Sequence, residues 1–511
     1  MKAACSKRCG KARNWRRGAV EARLAGVIRR DLERVPNRRD NAASSTAHAI
    51  PTMPDAFETL THLWQLAGLP GDALSFAELP GQDPAFPSTF AVGAAAQSTI
   101  AAAALAACEL AHARGAARQN VSVDMTHAAV ECTGHFTLDG HAPETWGPFS
   151  GLYRCADGYV RIHANFAHHQ DGALRVLGLD PATARREDAE RALLGWRAID
   201  FEDACAQRGL VVTMLRSFDE WDATPQGRAI AAQPLMTLTR IGDAPPHELP
   251  PLSANDRPLA GVRVLDFTRI LAGPVGGRAL AAFGADVMLV NSPHLPNISA
   301  IADTSRGKRS AHLDLQSDDD RAALWRLIDG AHVFSQGYRP GGLAALGFAP
   351  EAVAQRRPGI VYVSLTAYGT QGPWAGRRGF DSLVQTAMGF NAAEGEAQGA
   401  GKPRPLPMQM LDMASGFLMA FGAAAALWKQ QREGGSWHVQ VSLAQTGQWL
   451  RGLGRIDGGL RAAIPDFAPF LERQASGFGE LEAVRPSAQL ARTPAGYERA
   501  SEPPGTSEAR W

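Results

Sequence analysis

A regular alternation of short apolar runs and helical patterns after residue 258 most constrains the fold. Four runs of strand length occur at residues 262–267, 285–290, 331–334 and 360–365. Sequence with helical periodicity lies between them, for example at 318–328. Such alternation is typical of a parallel sheet covered by helices. We therefore predict an α/β fold: a domain with a Rossmann-like parallel sheet, accompanied by a second, smaller α+β domain.

The smaller domain is expected before the Pro-rich linker at 244–257, which contains the run APPHELPP. Helical sequence opens the segment 53–243, and Asp157-Gly158 between alternating apolar residues then predicts a β-hairpin. We expect a helical segment plus a small α+β domain over 53–243. The α/β domain is expected over 258–450, with a C-terminal tail over 451–511.

The first 52 residues differ from the rest in charge. They hold 13 Lys and Arg against 4 Asp and Glu, without an apolar signal core or interleaved aromatic residues. We expect a basic, disordered leader outside the fold. Two other interpretations stay open: translation starts at Met53, or the leader is a functional basic arm.

The overall composition is that of a folded globular protein. Of 511 residues, 45% are hydrophobic and 20% are charged. The long low-charge stretch at 91–108 is mostly alanine, too weakly apolar to predict a membrane span. Cys5 and Cys9 form a lone C-x3-C pair, which does not predict a metal site. Reduced thiols in the cytoplasm fit the cysteine pattern best.

An internal repeat relates two parts of the chain at an offset of 318 residues. Residues 104–125 and 422–443 each have an Ala-rich helix, a Gly-containing turn and a short V-x-V strand. At this offset Asp412 corresponds to Ala94. The repeat therefore allows at most one carboxylate site of the Asp412 type.

Asp412 is the main candidate for chemistry, because it stands at the start of an apolar helix that runs to about Gln431. One interpretation is an N-cap that accepts hydrogen bonds from the amides of Ala414 or Ser415. The helix dipole would also keep such a carboxylate ionised, as a covalent nucleophile requires. The two roles are compatible.

Other polar groups have ordinary structural interpretations. Arg378 beside Asp381 is typically a solvated ion pair, and the cations at 306–310 and 338–341 are individually typical of surface charge. We interpret His163, His168 and His169 as structural, since no acid or cysteine is arranged with them.

We predict that the segment 272–277 is a loop between a strand and a helix. Its pattern is G-x-x-G-G and not the G-x-G-x-x-G of dinucleotide-binding loops. Asn291 also ends the second strand, where an NAD site has an acid. A Rossmann NAD site is therefore not predicted. A phosphate-bearing ligand at this helix N-terminus stays open.

Taken together, the second segment resembles family III CoA-transferases (the CaiB/BaiF group). The matching motifs, in order, are PLAGVRVLDFTRILAGP at 258–274, GADV at 284–287, GKRS at 307–310, LDL at 313–315, YRPG at 338–341, GFD at 379–381, and Asp412 with Gly416. Residues 151–163, 217–222 and 225–227 resemble, more loosely, the small domain that follows the catalytic half in that family. Here the small-domain segment precedes the catalytic half.

The resemblance implies CoA transfer between an acyl-CoA and a small carboxylic acid, with Asp412 as the covalent nucleophile. It implies no permanently bound cofactor and no metal, with the CoA thioester as substrate. It also implies a cytoplasmic homodimer that contacts neither nucleic acid nor membrane. By resemblance, the residues that bind CoA are Ile270, Leu271, Leu313, Gly337, Tyr338, Arg378, Phe380 and Asp381.

Three positions depart from the family pattern: Gly337, Leu271 and Asn291 replace residues that are often polar or acidic there. Two alternatives therefore remain beside the transferase. One is a non-catalytic CoA-binding or partner subunit with a rearranged chain. The other is an α-methylacyl-CoA racemase-like enzyme, in which Phe380 would stand where a histidine base is needed.

Overall fold

The computed structural model describes residues 55–511, so the predicted leader and its two cysteines lie outside the described residues. The described residues all belong to one compact unit. Within the described part, sixteen α-helices occur: α1 (Ala56–Ala67), α2 (Val92–Ala113), α3 (Met125–Glu131), α4 (Ala167–Val176), α5 (Arg186–Leu193), α6 (Ala198–Ala206), α7 (Phe218–Asp222), α8 (Pro225–Ala231), α9 (Ala272–Ala282), α10 (Ile301–Thr304), α11 (Asp318–Gly330), α12 (Pro350–Arg356), α13 (Asp381–Met388), α14 (Phe390–Gln398), α15 (Met410–Glu433) and α16 (Leu443–Gly452).

The same described residues form sixteen strands: β1 (Ala77–Glu78), β2 (Val121–Val123), β3 (Phe136–Leu138), β4 (Gly151–Arg154), β5 (Tyr159–Ile162), β6 (Val212–Met214), β7 (Met236–Gly242), β8 (Arg263–Phe267), β9 (Asp286–Asn291), β10 (Lys308–His312), β11 (Val333–Gln336), β12 (Val361–Thr366), β13 (Ser436–Ser442), β14 (Leu471–Ser476), β15 (Gly479–Val484) and β16 (Ala488–Leu490). They make one seven-stranded sheet and three sheets of three strands each.

The large sheet has the order β10-β9-β8-β11-β12-β13-β7. Its first six strands are parallel, and in chain order they read 3-2-1-4-5-6, the doubly wound arrangement. Side chains such as Val264 and Leu265 are fully buried, as expected when helices cover both faces. The α/β prediction is confirmed. Strand β10 was not predicted from the apolar runs, because its sequence, Lys-Arg-Ser-Ala-His, is mostly polar.

The segment before the linker contributes directly to this sheet. Strand β7 pairs antiparallel with β13, with Thr239 opposite His438. Helix α2 also packs along α15. Arg114, just after α2, donates hydrogen bonds to the carbonyls of Pro250, Pro258 and Ala260, which ties the Pro-rich linker to the first segment. The domain boundaries at 243 and 258 stay a prediction.

The internal repeat corresponds to two similar units that meet in the core. One is α2–β2–α3 and the other is α15–β13–α16. The two long helices α2 and α15 have the length and composition of membrane spans, but both are buried inside the fold. Their rows of alanine allow the two backbones to approach closely.

The small sheet β4-β5-β6 forms a lobe with α4, α5 and α6 around a separate apolar core that includes Tyr153, Val160 and Phe201. Its strands β5 and β6 contact helix α13, in the same chain. The tail returns to the first segment as well, since β15 pairs with β3 and β16 pairs with β2.

Candidate functional site

The loops after β8 and β11 meet at the point where the strand order of the large sheet reverses. In doubly wound folds, ligands bind in the crevice beside this point. Ile270 and Leu271 follow β8, and Gly337 and Tyr338 follow β11. Leu313 comes directly after β10, two strands away from β8. The sheet thus brings these five predicted CoA-binding residues to one edge.

Ile270 has a strained backbone at this edge. Its φ is +77°, in a region that β-branched residues rarely adopt. Such strain costs on the order of 1–3 kcal/mol and clusters at ligand-binding sites. The conformation of Ile270 therefore supports a binding role for this loop.

The predicted loop at 272–277 is instead the first part of helix α9, which begins at Ala272. Its glycines serve close packing. A Cβ at Gly277 would lie 2.2 Å from Asp266 Oδ2, and one at Gly276 would lie 2.8 Å from the carbonyl oxygen of Gly416. The G-x-x-G-G pattern thus results from close contacts of α9 with β8 and with α15. Its glycines do not form a phosphate-binding loop.

The cations at 306–310 are not free for a ligand. Lys308 donates a hydrogen bond to Asp266 at 2.8 Å, and both side chains are fully buried. Arg306 pairs with Asp303 and Glu472. These groups hold β10 and the tail in place, so the interpretation as surface charge is wrong for Arg306 and Lys308.

Asp412 lies in the first turn of α15, but it is not the helix cap. The amide of Asp412 donates to Asp381 Oδ2 at 2.8 Å, and the amide of Leu411 lies close enough to lower the pKa of Asp381. Asp381 thus caps α15 from the start of α13, and Gln385 donates to its other oxygen. The carboxylate of Asp412 accepts no hydrogen bond from the described residues and is 9% exposed.

The same capping scheme appears at the other copy of the repeat. Asp83 accepts hydrogen bonds from the amides of Gly93 and Ala94, which correspond to Leu411 and Asp412. Each long helix is therefore capped by an aspartate from another element. Only α15 carries a second carboxylate at that turn.

The pKa of Asp412 is raised well above its usual value, first by burial and then by the nearby negative charge of Asp381. Burial also raises the pKa of Asp381 to about 7, although its hydrogen bonds and Arg161 act in the opposite direction. The helix dipole, which we expected to favour the ionised form of Asp412, is thus outweighed in the free protein. Desolvation outweighs the dipole because the carboxyl group has lost most of its water.

Phe380 and Arg378, one and three residues before Asp381 in the sequence, contact the small lobe. His163 stacks on Phe380 with the ring centroids 3.8 Å apart. Arg378 Nη1 lies 3.4 Å from His169 Nε2, and no salt bridge forms between Arg378 and Asp381. The expected solvated ion pair is therefore absent among the described residues. His163 and His169, interpreted as structural, thus contact two of the predicted CoA-binding residues.

Both histidines are neutral at neutral pH. Burial lowers the pKa of His163 to about 3 and that of His169 to about 4. The Nδ1 atom of each ring is buried without a hydrogen-bond partner in the described part of the chain. Within residues 55–511, no group of three or more His, Cys, Asp or Glu side chains is placed to hold a metal ion.

Arg161, on β5, was not predicted from the sequence. It is 7% exposed, lies over the ring of Trp146 and is close enough to lower the pKa of Asp381. A strand residue flanked by Val160 and Ile162 carries no local sign of a site. Only the packing of the lobe on α13 reveals its position.

Comparisons with known proteins show what the chain is similar to. Residues 259–453 match the sequence profile of CoA-transferase family III. An acyl-CoA transferase of Gibberella moniliformis is 32% identical over 315 residues, which cover 58% of this chain and 55% of that protein. The succinate–glutarate CoA-transferase of Agrobacterium fabrum is 33% identical over 36% of this chain and 51% of its own length.

Among solved structures, a Mycobacterium tuberculosis protein, Rv3272, is 36% identical, with a TM-score of 0.34 over 38% of this chain and 56% of that one. The chain thus spans about half the length of these relatives.

Proposed function

Because residues 259–453 belong to CoA-transferase family III, we propose that this protein transfers CoA from an acyl-CoA to a carboxylic acid through a covalent intermediate on Asp412. One observation carries the proposal. Asp412 is a nearly buried carboxylate at a helix N-terminus whose amides are already capped by Asp381. Its own oxygens are therefore left available for reaction.

The proposed reaction needs no ATP, because each step exchanges one activated acyl group for another. An oxygen of Asp412 attacks the thioester carbonyl, the C–S bond breaks and an acyl-aspartyl anhydride forms with release of CoA thiolate. The thiolate then attacks the Asp412 carbonyl carbon, which releases the donor acid and leaves an aspartyl-CoA thioester. The acceptor acid enters, and the same two steps run in reverse.

The rest of the site fits this sequence of steps. Ligands of doubly wound sheets bind between loops such as those after β8 and β11, and we expect CoA to contact Ile270, Leu271, Gly337 and Tyr338 there. The small lobe packs on α13 beside Asp381, where in the proposed reaction it would limit the access of water. Excluding water matters because water would hydrolyse the anhydride.

A racemase-like reaction is less well supported. It needs a second base near Asp412, and the side chain at 380 is phenylalanine. His163 stacks on that ring, but its low pKa makes it a weak proton acceptor. Exchange of the α-proton of a chiral 2-methylacyl-CoA with deuterated water would favour this alternative.

To test the transferase proposal, purified protein is incubated with succinyl-CoA or acetyl-CoA, treated with hydroxylamine and digested for peptide mass spectrometry. We expect the hydroxamate on Asp412. Asp412→Asn should abolish the adduct and transfer while CoA affinity changes by less than about twofold, a difference below 1 kcal/mol.

Asp83→Asn is the control, because it makes the same change of side chain at an aspartate that caps α2 as Asp381 caps α15. It should leave the adduct in place. Full transfer by Asp412→Asn, or an adduct on another residue, would refute the proposed nucleophile. If a dimer forms, as the family resemblance implies, light scattering of the same samples gives its mass.

A further inference from the structure

Arg161 differs from the other buried cations of the described chain. Arg278, Arg306, Lys308 and Arg216 each form an ion pair with a buried or partly buried acid. Arg114 donates hydrogen bonds to backbone carbonyls. Arg161, at 7% exposure, forms neither an ion pair nor a side-chain hydrogen bond among residues 55–511, and its Nε atom is buried without a partner.

An unpaired buried guanidinium is costly, because it loses water without gaining an anion. The contact of Arg161 with the Trp146 ring compensates for only a small part of the lost hydration energy. Burial lowers the pKa of Arg161 to about 10, so the group remains charged at neutral pH. A charge kept in this state points to an anion that binds there during function.

The surroundings of Arg161 indicate where an anion bound to it would lie. Asp381 attracts Arg161 without forming a salt bridge, and Asp381 itself contacts the backbone of Asp412. His163 Nδ1 is a further buried polar atom without a partner, two residues along the same chain segment. An anion bound here would therefore lie beside the proposed nucleophile.

We propose that Arg161 binds the carboxylate group of the acid substrate and holds it next to Asp412. This inference rests on the proposed function, which it deepens by naming the residue that recognises the acid. A guanidinium suits this role because its parallel N–H groups match the two oxygens of a carboxylate. A CoA phosphate is another anion in the reaction, but it is bulky and strongly hydrated, whereas Arg161 is nearly enclosed by protein.

The test measures acid binding directly. The probes are ¹³C-carboxyl-labelled acetate and succinate, observed by NMR line broadening, with acetamide and succinamide as neutral competitors. Acid binding should weaken at least about tenfold in Arg161→Met and recover in part in Arg161→Lys. The amides should not compete, and the affinities for CoA and for inorganic phosphate should not change.

Two control variants separate this role from a structural one. Arg154→Met, on the exposed side of the same hairpin, should bind acid like the wild type. Arg216→Met breaks the bidentate pair with Glu202 and should lower the melting temperature. Arg161→Met should leave the melting temperature unchanged or raise it, because it removes an unpaired buried charge.

The outcomes distinguish this inference from the proposed function. Hydroxylamine-trapped adduct at Asp412 should still form in Arg161→Met, since the first step needs no free acid. If Asp412 never forms an adduct but acid binding depends on Arg161, the inference stands and the transferase proposal fails. Undiminished acid binding in Arg161→Met, a loss confined to CoA or phosphate, a lower melting temperature for this variant, or no acid binding by the wild type would each overturn it.

Discussion

At the scale of single residues, the candidate site depends on two carboxyl groups with separate tasks. Asp381 accepts a hydrogen bond from the Asp412 amide at the start of α15, and the carboxylate of Asp412 is left without a hydrogen-bond donor among the described residues. Burial raises the pKa of both groups, and the negative charge of Asp381 raises the pKa of Asp412 further. Nucleophilic attack needs the ionised form of Asp412, so the rate of adduct formation should increase as the pH rises through its elevated pKa.

Asp381→Asn should move this increase to lower pH. Removing the neighbouring negative charge lowers the pKa of Asp412, so the carboxylate form appears earlier in a titration from acid. The measurement is the rate of hydroxylamine-trapped adduct as a function of pH.

Asp83→Asn, which removes the corresponding cap on α2, is the control. It should lower the free energy of unfolding by about 1 kcal/mol but should not move the pH profile of adduct formation. An unmoved profile in Asp381→Asn, or an equal shift in Asp83→Asn, would contradict the assignment.

At the scale of secondary-structure elements, α15 is held by close contacts with its neighbours. Gly416 lies one turn after Asp412, and a Cβ there would come 2.5 Å from the carbonyl oxygen of Ala272 and 2.9 Å from Val275. The glycines of α9 and α15 therefore set the distance between these helices. The position of Asp412 relative to the β8 loop depends on this contact.

Gly416→Ala should push the two helices apart. Overpacking of this kind costs about 1–3 kcal/mol of unfolding free energy, and the adduct at Asp412 should form more slowly because the carboxylate moves with its helix. Urea unfolding and trapping rates measure the two effects.

Gly452→Ala is the control, since no other atoms lie within 4 Å of the added methyl group at the end of α16. It should be neutral or stabilise the protein by up to about 1 kcal/mol. Wild-type stability and labelling in Gly416→Ala would show that the contact can relax.

At the scale of the whole molecule, the parts before and after the linker depend on each other. The part before the linker supplies β7 to the large sheet, α2 to the face of α15 and the small lobe beside Asp381. Without it, the apolar side of α15 and the open edge of β13 would face water. Exposed apolar helices and open strand edges favour aggregation.

Residues 253–511 expressed alone should therefore be insoluble, or else hydrolyse acyl-CoA without transferring CoA, because water reaches the anhydride. Co-expression with residues 53–252 should restore solubility and transfer, as the contacts between the fragments are extensive and mainly apolar. Soluble expression tests and separate assays of hydrolysis and transfer measure this. A soluble fragment 253–511 with full transfer activity would refute the dependence.

The sequence by itself determined the features that arise from local patterns. Alternating apolar runs predicted β8, β9, β11 and β12, because burial on both faces of a parallel sheet requires nearly continuous apolar strands. The Asp157-Gly158 turn predicted the hairpin β4–β5. The position of Asp412 at the start of a helix was also predicted, since helix bounds follow from the hydrophobic period.

Tertiary structure alone decided what surrounds Asp412. Its helix is capped by Asp381, 31 residues earlier, and not by its own side chain. Arg161 and His163 come from a lobe in a distant part of the chain. No local pattern records such contacts, because they depend on how separate elements pack and not on the sequence near each residue. The raised pKa values follow from the same packing, since desolvation is a property of the folded molecule and overrides the helix dipole that the sequence suggested.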